Sequence, residues 1–540
     1  MTLPLYNDGL DDTPQKEEEG GFFRLNNTAN PADLTPGSLT RAVNCWMETN
    51  GVLNTRPGRR LVSDTLPTTG AALAGLVYFD TPSRESVIFP AGTDLWEIIS
   101  DTAPQTPVTV AAGGLPATGR KAMTQLIDRV FVANTANLMW AYWNGAAWSD
   151  GTVTKFSDGS DMPVFGLLTT HRFRVFACQA NTNKIFVSKY LSAHLSDTGG
   201  DWNSLENIIV GSGNGDPTRK MISGQQADLI VLNEGSCWSV DTSAQNAVDW
   251  PVTKLTDVAG CVAGATAIMI GQDVYFLSRY GLVSLSGLVT RDSISPANTI
   301  SAPVNRTIER INWTAVDNER GASSTLWRNL LLLAIPIDGA TEANRVLAYN
   351  TLTKEWVGEW EWSPESALPV WGYACVTRFA GKQETLWAYP DGYITRLDDS
   401  YEDDDATGGA EEIESWVQSR AMWFGQHEAQ KMPFWLEAEF HRSSSTSIAV
   451  LFVGDDEQTF PEIALESARV IEAGFNGSTF LTFPLPLPFT FSSQYTRRAS
   501  WHIRNQSRFR EAQIIIHSGS GQIGLRKFKM AAWLDTPVLI

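Results

Sequence analysis

Val274-Tyr-Phe-Leu-Ser-Arg-Tyr-Gly-Leu-Val-Ser-Leu285 decides the fold. It holds a short apolar run, a turn with glycine and a second apolar run, with no helical cap at either end. Such a pattern reads as a β-hairpin. Val231-Leu-Asn-Glu-Gly-Ser-Cys-Trp-Ser-Val240 and Leu386-Trp-Ala-Tyr-Pro-Asp-Gly-Tyr-Ile-Thr-Arg-Leu397 follow the same plan. A glycine at each turn suits a backbone that needs positive φ.

Further short runs of the same kind flank these three. They are Gly75-Leu-Val-Tyr-Phe79, Ser86-Val-Ile-Phe89, Arg129-Val-Phe-Val132, Phe173-Arg-Val-Phe176, Asp228-Leu-Ile-Val-Leu232, Asp273-Val-Tyr-Phe-Leu277, Asn329-Leu-Leu-Leu-Leu333 and Thr385-Leu-Trp-Ala388. With Val77, Val130, Val175, Ile230, Tyr275, Leu331 and Leu386 as anchors, the steps are 53, 45, 55, 45, 56 and 55 residues. A loose repeat near 50 residues, each holding several short strands, is the pattern of propeller blades. The fold class expected is therefore mainly β: an irregular β-propeller of six or seven blades, in which the first and last segments could share one blade. A pair of irregular β-sandwiches is the competing reading.

The repeat ends near Leu397. Asp398-Asp-Ser-Tyr-Glu-Asp-Asp-Asp405 and Thr407-Gly-Gly-Ala-Glu-Glu412 follow and read as a solvated linker or loop. Strands are expected again at 414–422, 434–440, 446–452, 479–483, 498–505, 512–517 and 525–533, enough for a C-terminal antiparallel β-sandwich that would serve as a platform. Ahead of the repeat, residues 1–40 are polar and carry the Lys16–Glu19 charge run, which predicts an arm that gains order only against a neighbouring subunit. A short helix is expected over 38–48. The domain plan is 1–65 (N-terminal arm and platform-associated segment), 66–400 (β-propeller) and 401–540 (C-terminal β-sandwich).

Composition limits the function classes. The 540 residues carry a net charge of −19, which argues against a sequence-reading nucleic-acid binder, since those present basic patches. An acidic wall repels phosphate, so DNA as cargo stays compatible. The five cysteines, Cys45, Cys178, Cys237, Cys261 and Cys375, form no CxxC pair and read as buried thiols. The N-terminus has no basic and apolar signal pattern, and no apolar run reaches the roughly 20 residues of a membrane helix.

No catalytic, cofactor-binding or metal residues are nominated. The six histidines, His171, His194, His427, His441, His502 and His517, lack metal spacing, and neither HExxH nor GxSxG occurs. Gly519-Ser-Gly-Gln-Ile-Gly524 fits GxGxxG, but a second strand follows where a dinucleotide site needs a helix, so it reads as a hairpin turn. Gly211-Ser-Gly-Asn-Gly215 reads as a loop, since no Gly-Lys-Ser/Thr follows it. The acidic run 398–405 lacks the alternation and glycine of a calcium loop. Sialidase boxes and WD or kelch signatures are missing, and 60 acidic residues do not single out a glycosidase pair. A non-enzymatic protein is expected, with no cofactor.

Four segments together resemble the tail nozzle proteins of short-tailed bacteriophages (the tail tube or packaged-DNA stabilisation type). The first is Asn44-Cys-Trp-Met-Glu-Thr-Asn-Gly51 running into Val-Leu-Asn-Thr-Arg56-Pro57-Gly58, similar to that family's early Asn and Gly-x-Leu-x-x-Arg-Pro-Gly element. The second is Val258-Ala-Gly-Cys261 with the hairpin that follows it. The third is Arg345-Val-Leu-Ala-Tyr-Asn-Thr-Leu-Thr-Lys-Glu-Trp356. The fourth is Arg172–Phe176 with Ile185–Tyr190 and Asp201-Trp202. The matches span about 40–400. Read from the residues alone, Arg56-Pro57-Gly58 is a packing element: Pro57 fixes φ, Gly58 permits a tight turn, and Arg56 can pin carbonyls or a carboxylate across a domain boundary.

The resemblance implies a homohexameric ring below a dodecameric head-to-tail adaptor protein. It implies a virion location in the tail after assembly in the host cytoplasm. It also implies double-stranded DNA passing through the channel without sequence recognition, and tail fibres or spikes docked nearby. A host-surface carbohydrate-binding or glycan-degrading propeller is the alternative from another class, and a cellular scaffolding propeller is a third.

Overall fold

The structure is a computed structural model. It describes residues 15–62, 76–82, 84–91, 93–99, 108–111, 121–134, 140–143, 148–151, 155–192, 200–211, 215–224, 227–318, 320–361, 374–377, 385–388, 394–398, 403–406, 409–424, 430–443, 448–454, 469–473, 497–502, 512–518 and 523–535. The chain divides into two compact units. One comprises Arg59–Val346 and Ser366–Asp398; the other comprises Met1–Gly58, Leu347–Glu365 and Asp399–Ile540.

The first unit is a β-propeller built of consecutive antiparallel meanders. Blade 1 is Val77–Thr81, Arg84–Ala91, Asp94–Ile98 and Val108–Ala111. Blade 2 is Lys121–Leu126, Arg129–Asn134, Trp140–Trp143 and Trp148–Gly151. Blade 3 is Phe165–His171, Arg174–Gln179, Lys184–Ser188 and Trp202–Ile209. Blade 4 is Thr218–Ser223, Asp228–Asn233, Cys237–Asp241 and Val252–Thr256. Blade 5 has three strands, Ile268–Ile270, Asp273–Ser278 and Gly281–Ser284. Blade 6 opens with the hairpin Ser323–Trp327 and Leu330–Ile335, and the chain leaves this unit within the next strand, Arg345–Asn350. Blade 7 is Ala374–Thr377, Thr385–Ala388 and Thr395–Asp398, with Gly58–Leu61 alongside the last.

Seven blades are thus seen among the described residues. The first and last strands of the unit share blade 7, and the amide of Val62 donates to the carbonyl of Ile394 at 2.8 Å. This closure ties the two ends of the ring. The repeat in the sequence has a structural origin: six of the seven anchors fall on the second strand of their blade, and Val77 falls on a first strand.

Period-two alternation packs blades 1–4 against both neighbours. In blade 3, Val175 and Ala177 face blade 2, where Phe131 and Ala133 meet them, while Phe176 and Cys178 face Leu229, Val231 and Met221 of blade 4. In blade 4, Leu232 and Cys237 face Val274 and Phe276 of blade 5. Val87 and Phe89 of blade 1 share a cluster with Val62 and Ile394 of blade 7, while Ile88 turns to Val130 and Val132 of blade 2. Each fully buried side chain of this kind contributes about 1.5–3 kcal/mol. Trp202 is fully buried in the blade 2–blade 3 cluster.

The second unit is built on two sheets. One has the order Arg497–His502, Gln430–Ser443, Ile523–Asp535, Leu53–Thr55, Cys45–Met47, and Gln15–Gly20 pairs beside Leu53–Thr55 on the same edge of Ile523–Asp535. The other runs Glu355–Trp360, Ser38–Val43, Ser415–Ser419, Ala512–Ser518, Ile448–Gly454, Arg469–Ala473, with Arg24–Leu25 beside Ser38–Val43. Cys45–Met47 of the first sheet lies against Glu355–Trp360 of the second, and the Trp360 indole N–H donates to the Cys45 carbonyl at 3.0 Å. Gly358 makes this approach possible, because a Cβ there would sit 1.9 Å from the Cys45 carbonyl oxygen.

Several expectations change here. No helix forms over 38–48. Ser38–Val43 and Cys45–Met47 are strands in different sheets, and Asn44 between them turns the chain at φ 53°. Helix propensity is a weak prior, and insertion of Ser38–Val43 between two waiting strands outweighs it.

The stretch 15–40 does not wait for a neighbouring subunit; Gln15–Gly20 pairs with the chain's own Lys527–Ala532. Charge explains the choice, since Glu17 and Glu19 meet Arg420 while Glu18 meets Lys527 and Lys529. Residues 1–14 lie outside the described residues. Within the acidic run, Asp403–Ala406 pairs with Gly409–Glu412 as antiparallel strands.

Gly519–Gly524 is not a hairpin turn. The strands on either side, Ala512–Ser518 and Ile523–Asp535, belong to different sheets, so they do not form a hairpin with each other; residues 519–522 lie outside the described residues. Of the strands expected after 413, 479–483 lies outside the described residues.

Of the three hairpin glycines, Gly281 has φ 119°, and a Cβ there would meet the Ser301 hydroxyl at 2.1 Å. Gly235 is not among the positive-φ residues, and Gly392 lies outside the described residues.

Candidate functional site

The innermost strands of the propeller stand side by side around its axis. Val77–Thr81 touches Lys121–Leu126, then follow Phe165–His171 and Thr218–Ser223. The short helical turn Gly264–Thr266, Ser323–Trp327 and Ala374–Thr377 complete the circuit back to Val77–Thr81. Cross-links pin neighbours: the Thr170 hydroxyl donates to the Gln125 carbonyl at 2.6 Å, and the Ser324 hydroxyl donates to the Thr266 carbonyl at 2.7 Å. Gly264 is required for this closeness, because a Cβ there would lie 1.8 Å from the Arg219 carbonyl oxygen.

The strands enclose an axial cavity of about 240 Å³. Its wall includes Lys121, Gly166, Arg219, Lys220, Ala265 and Ser323. Lys121 is nearly fully buried. Arg219 reaches the Glu234 carboxylate at 2.7 Å and the Asp317 carboxylate at 2.6 Å, and Arg279 meets Glu234 at 3.5 Å. The hydrogen bond from Arg219 holds the Glu234 carboxyl below its ordinary range, with Arg279 adding charge. Sequence reading missed these cations. Their one signal is position: they open the first strands of blades 2 and 4.

The Arg-Pro-Gly element has a different setting. Arg56 is buried, and its Nε donates to Asn44 Oδ1 at 3.1 Å while its Nη atoms donate to the carbonyls of Pro57 and Glu361. Asn44 Nδ2 donates to the Glu414 carbonyl at 2.8 Å, and Asn44 Oδ1 also accepts from the Glu361 amide at 2.8 Å. Two side chains therefore tie four chain segments of the two-sheet unit. Arg56 pins carbonyls, as a packing role requires, but these partners lie within one unit and not across a boundary.

Several buried titratable groups among the described residues have structural surroundings. His171 is buried; its Nδ1 lies 2.8 Å from the Ser223 hydroxyl and its Nε2 2.9 Å from the Thr242 hydroxyl. Burial lowers its pKa, so the neutral ring is favoured. His517 stacks on Trp416 at 3.9 Å and is lowered by burial in the same way. Burial pushes the thiols of Cys45, Cys178 and Cys261 up to about 12 and raises that of Cys237, which makes them poor nucleophiles. Among the described residues, no group of three or more His, Cys, Asp or Glu is placed to hold a metal ion. No helix of the described residues is long and apolar enough to cross a membrane.

No family model and no curated protein matches the chain. Among solved structures, it is similar to YCF48 from Cyanidioschyzon merolae at 12% identity and TM-score 0.37, over 63% of this chain and 98% of that one. PorZ, a surface component of the type-IX secretion system of Porphyromonas gingivalis, is 11% identical with TM-score 0.35, over 69% of this chain and 44% of that one. The extracellular domain of BT4673 from B. thetaiotaomicron is 9% identical with TM-score 0.33, over 75% and 58%. The chain thus spans about half the length of the last two.

Proposed function

We propose that the chain is a structural subunit of a short phage tail: a nozzle protein that assembles as a homohexameric ring, contacts a head-to-tail adaptor and tail fibres, and lets genomic DNA pass. One observation carries this reading. The residues that bear the resemblance, Asn44 and Arg56-Pro57-Gly58, meet in a buried hydrogen-bonded junction of the two-sheet unit. That is the setting of an architectural signature, not of a reaction centre.

The propeller cavity itself is not the DNA conduit in this reading. Its 240 Å³ equals roughly eight water molecules at about 30 Å³ each, far too little to hold a DNA duplex. The conduit runs between copies. A net charge of −19 on each copy suits that role, since a wall with few cations releases few counterions and does not retain the phosphate backbone. Negative-stain imaging and mass measurement of the purified chain test the proposal. Rings of about six times the mass of one chain support it; a monomer at all concentrations removes it.

A glycan-binding surface is the second reading, favoured by one feature. Phe173 and Tyr190 are both more than half exposed at one end of blade 3, with ring centroids 6.0 Å apart. Exposed aromatic faces suit sugar rings. Saturable glycan binding that is lost in Phe173→Ala would favour this reading over the ring.

A further inference from the structure

Six of the twelve large apolar side chains that stand exposed among the described residues gather at one end of blades 2–4. In a four-stranded meander, the turn after the first strand and the connection after the third lie at the same end. Ile127 and Phe173 occupy the first kind of turn in blades 2 and 3. Tyr190 and Leu191 begin the second kind in blade 3, and Val248 lies in the second kind in blade 4. Leu205 is on the outermost strand of blade 3, in the stretch where its ladder shifts register between Phe186 and Ser188. Leu205 and Val248 are each 78% exposed.

Direct contacts join these residues into one surface. The Phe173 and Tyr190 rings lie 6.0 Å apart, and the Leu191 amide donates to the Phe173 carbonyl at 2.8 Å. The Ala247 amide, next to Val248, donates to the Glu206 carboxylate, next to Leu205, at 3.3 Å. Gln125 Nε2 donates to the Ile127 carbonyl at 2.7 Å, and the Gln125 carbonyl accepts from Thr170 of blade 3.

Exposure is one cost of these residues, and backbone conformation is a second. Ile127, Phe173 and Leu191 have φ of 56°, 58° and 57°. Glycine or asparagine adopts that region with less strain and is the ordinary choice at a turn. Bulky apolar side chains that are both exposed and held in an unfavourable backbone region point to a task at the surface.

The chemistry of the face suits a protein partner. Four of the six side chains are branched aliphatics, which suit the dry core of a protein interface better than a sugar ring. At about 150–250 Å² for a large side chain, the six present on the order of 600 Å² of apolar surface, against about 800 Å² for one side of a standard interface. Arg172 and Arg174 stand beside the patch. Arg172 donates to the Thr242 carbonyl at 2.7 Å, and Arg174 donates to the Ser188 and Gln245 carbonyls at 3.1 and 3.0 Å. Carbonyls do not neutralise a guanidinium, and a copy of this chain, with 60 acidic and 41 basic residues, offers carboxylates widely.

We propose that this end of blades 2–4 is a contact surface for a second copy of the chain. The inference rests on the ring reading and names one side of the contact between neighbours. In a closed ring that contact is heterologous, so this face meets a different surface of the next copy.

The test is sedimentation velocity of the full chain over a concentration series, with melting temperatures taken where the chains are monomeric. Phe173→Asn combined with Leu191→Asn is expected to weaken assembly roughly tenfold or more. The same pair should melt no lower than the parent, since both substitutions relieve the backbone. Leu205→Ser combined with Val248→Ser should weaken assembly in the same direction, and it decides the matter if the first pair lowers the melting temperature. Ile209→Asn, at the opposite end of blade 3's outer strand, should assemble as the parent does. A parent chain that stays monomeric at all concentrations removes the ring reading and this inference with it. A parent that forms rings while both paired variants assemble equally well overturns this inference alone, and so does equal weakening by Ile209→Asn. Saturable glycan binding that is lost in the first pair, with rings forming normally, assigns the face to a sugar and overturns it too.

Discussion

The two units solve the same problem, burying both faces of many short strands, in opposite ways. In the propeller, blades 1–5 are runs of consecutive strands, and the core clusters join adjacent blades. In the two-sheet unit, neighbours in space are far apart in the chain. Asn44 bonds to Glu414 across 370 positions, Trp360 to Cys45 across 315, and Arg420 to Glu17 across 403. The first unit is stabilised by apolar alternation, the second by buried polar junctions as well. Local contacts form quickly and distant ones slowly, so the propeller blades are expected to gain hydrogen-exchange protection before the two-sheet unit does.

The largest test of this contrast removes one anchor from each unit. Arg420→Ala leaves Glu17 and Glu19 facing each other without their shared cation, and Glu19 is only 1% exposed. Breaking such a buried pair costs about 3–5 kcal/mol. Trp202→Ala opens the cluster between blades 2 and 3 and costs about 3–5 kcal/mol. Hydrogen exchange resolved by peptide distinguishes them. Arg420→Ala should deprotect Gln15–Gly20, and Trp202→Ala should deprotect Phe165–His171 and Lys184–Ser188. The same peptides responding to both variants would break the contrast.

A matched glycine pair gives the next effect. Gly264→Ala drives a methyl into the Arg219 carbonyl, and Gly358→Ala drives one into the Cys45 carbonyl. Both contacts are with backbone, so each should cost about 1–3 kcal/mol in chemical denaturation. Asn44→Ala belongs to the same range. It strips partners from the Glu414 carbonyl, the Glu361 amide and Arg56 Nε, at about 1–3 kcal/mol. Asn44→Gly should recover a part of that loss, because φ 53° suits glycine better than alanine. Equal stability of the two variants would show that the hydrogen bonds alone decide this position.

The smallest effect concerns the outward face of the N-terminal strand. A hydrogen bond from Lys529, with Lys527 behind it, holds the Glu18 carboxyl below its ordinary value of 4.5. A lowered folded value means that the contribution is present above 4.5 and disappears as pH falls through the folded value. Glu18 is half exposed, so this amounts to less than about 1 kcal/mol. Glu18→Gln should flatten the pH dependence of the melting temperature in that acid range, and added salt should mimic it. Buried Glu19 has the opposite sign: burial raises its carboxyl, so its contribution is lost as pH rises above 4.5. A variant with an unchanged pH profile would remove Glu18 from the account of strand docking.

The same contrast explains what was legible. All eight apolar runs read as strands are strands, because Val, Ile, Leu and Phe at alternating positions suit a sheet packed on both faces. The repeat near 50 residues marked the second strands of blades 2–7. The errors fall almost wholly in the two-sheet unit. Residues 38–48 are short and mixed in character, and only the strands beside them decide between helix and strand. The Glu17–Glu19 run looks solvated until Arg420, Lys527 and Lys529 are placed around it. Gly519–Gly524 looks like any glycine turn, and only the sheet membership of its flanks excludes a hairpin. The axial cations were illegible for a similar reason, since a lysine at the start of a short strand has no local mark of facing an axis.

What the sequence by itself determined is the β class, the blade period and the need for a left-handed glycine at position 281, all properties of residues within one hairpin of each other. Tertiary structure alone decided that blade 7 is closed by residues 58–61, that the strand 15–20 lies along the last long strand of the chain, and that Lys121, Arg219 and Lys220 share one cavity. The physical reason is range. Alternation and turn preference act over a few residues, whereas closure, charge pairing and cavity lining are settled by which distant groups burial brings together.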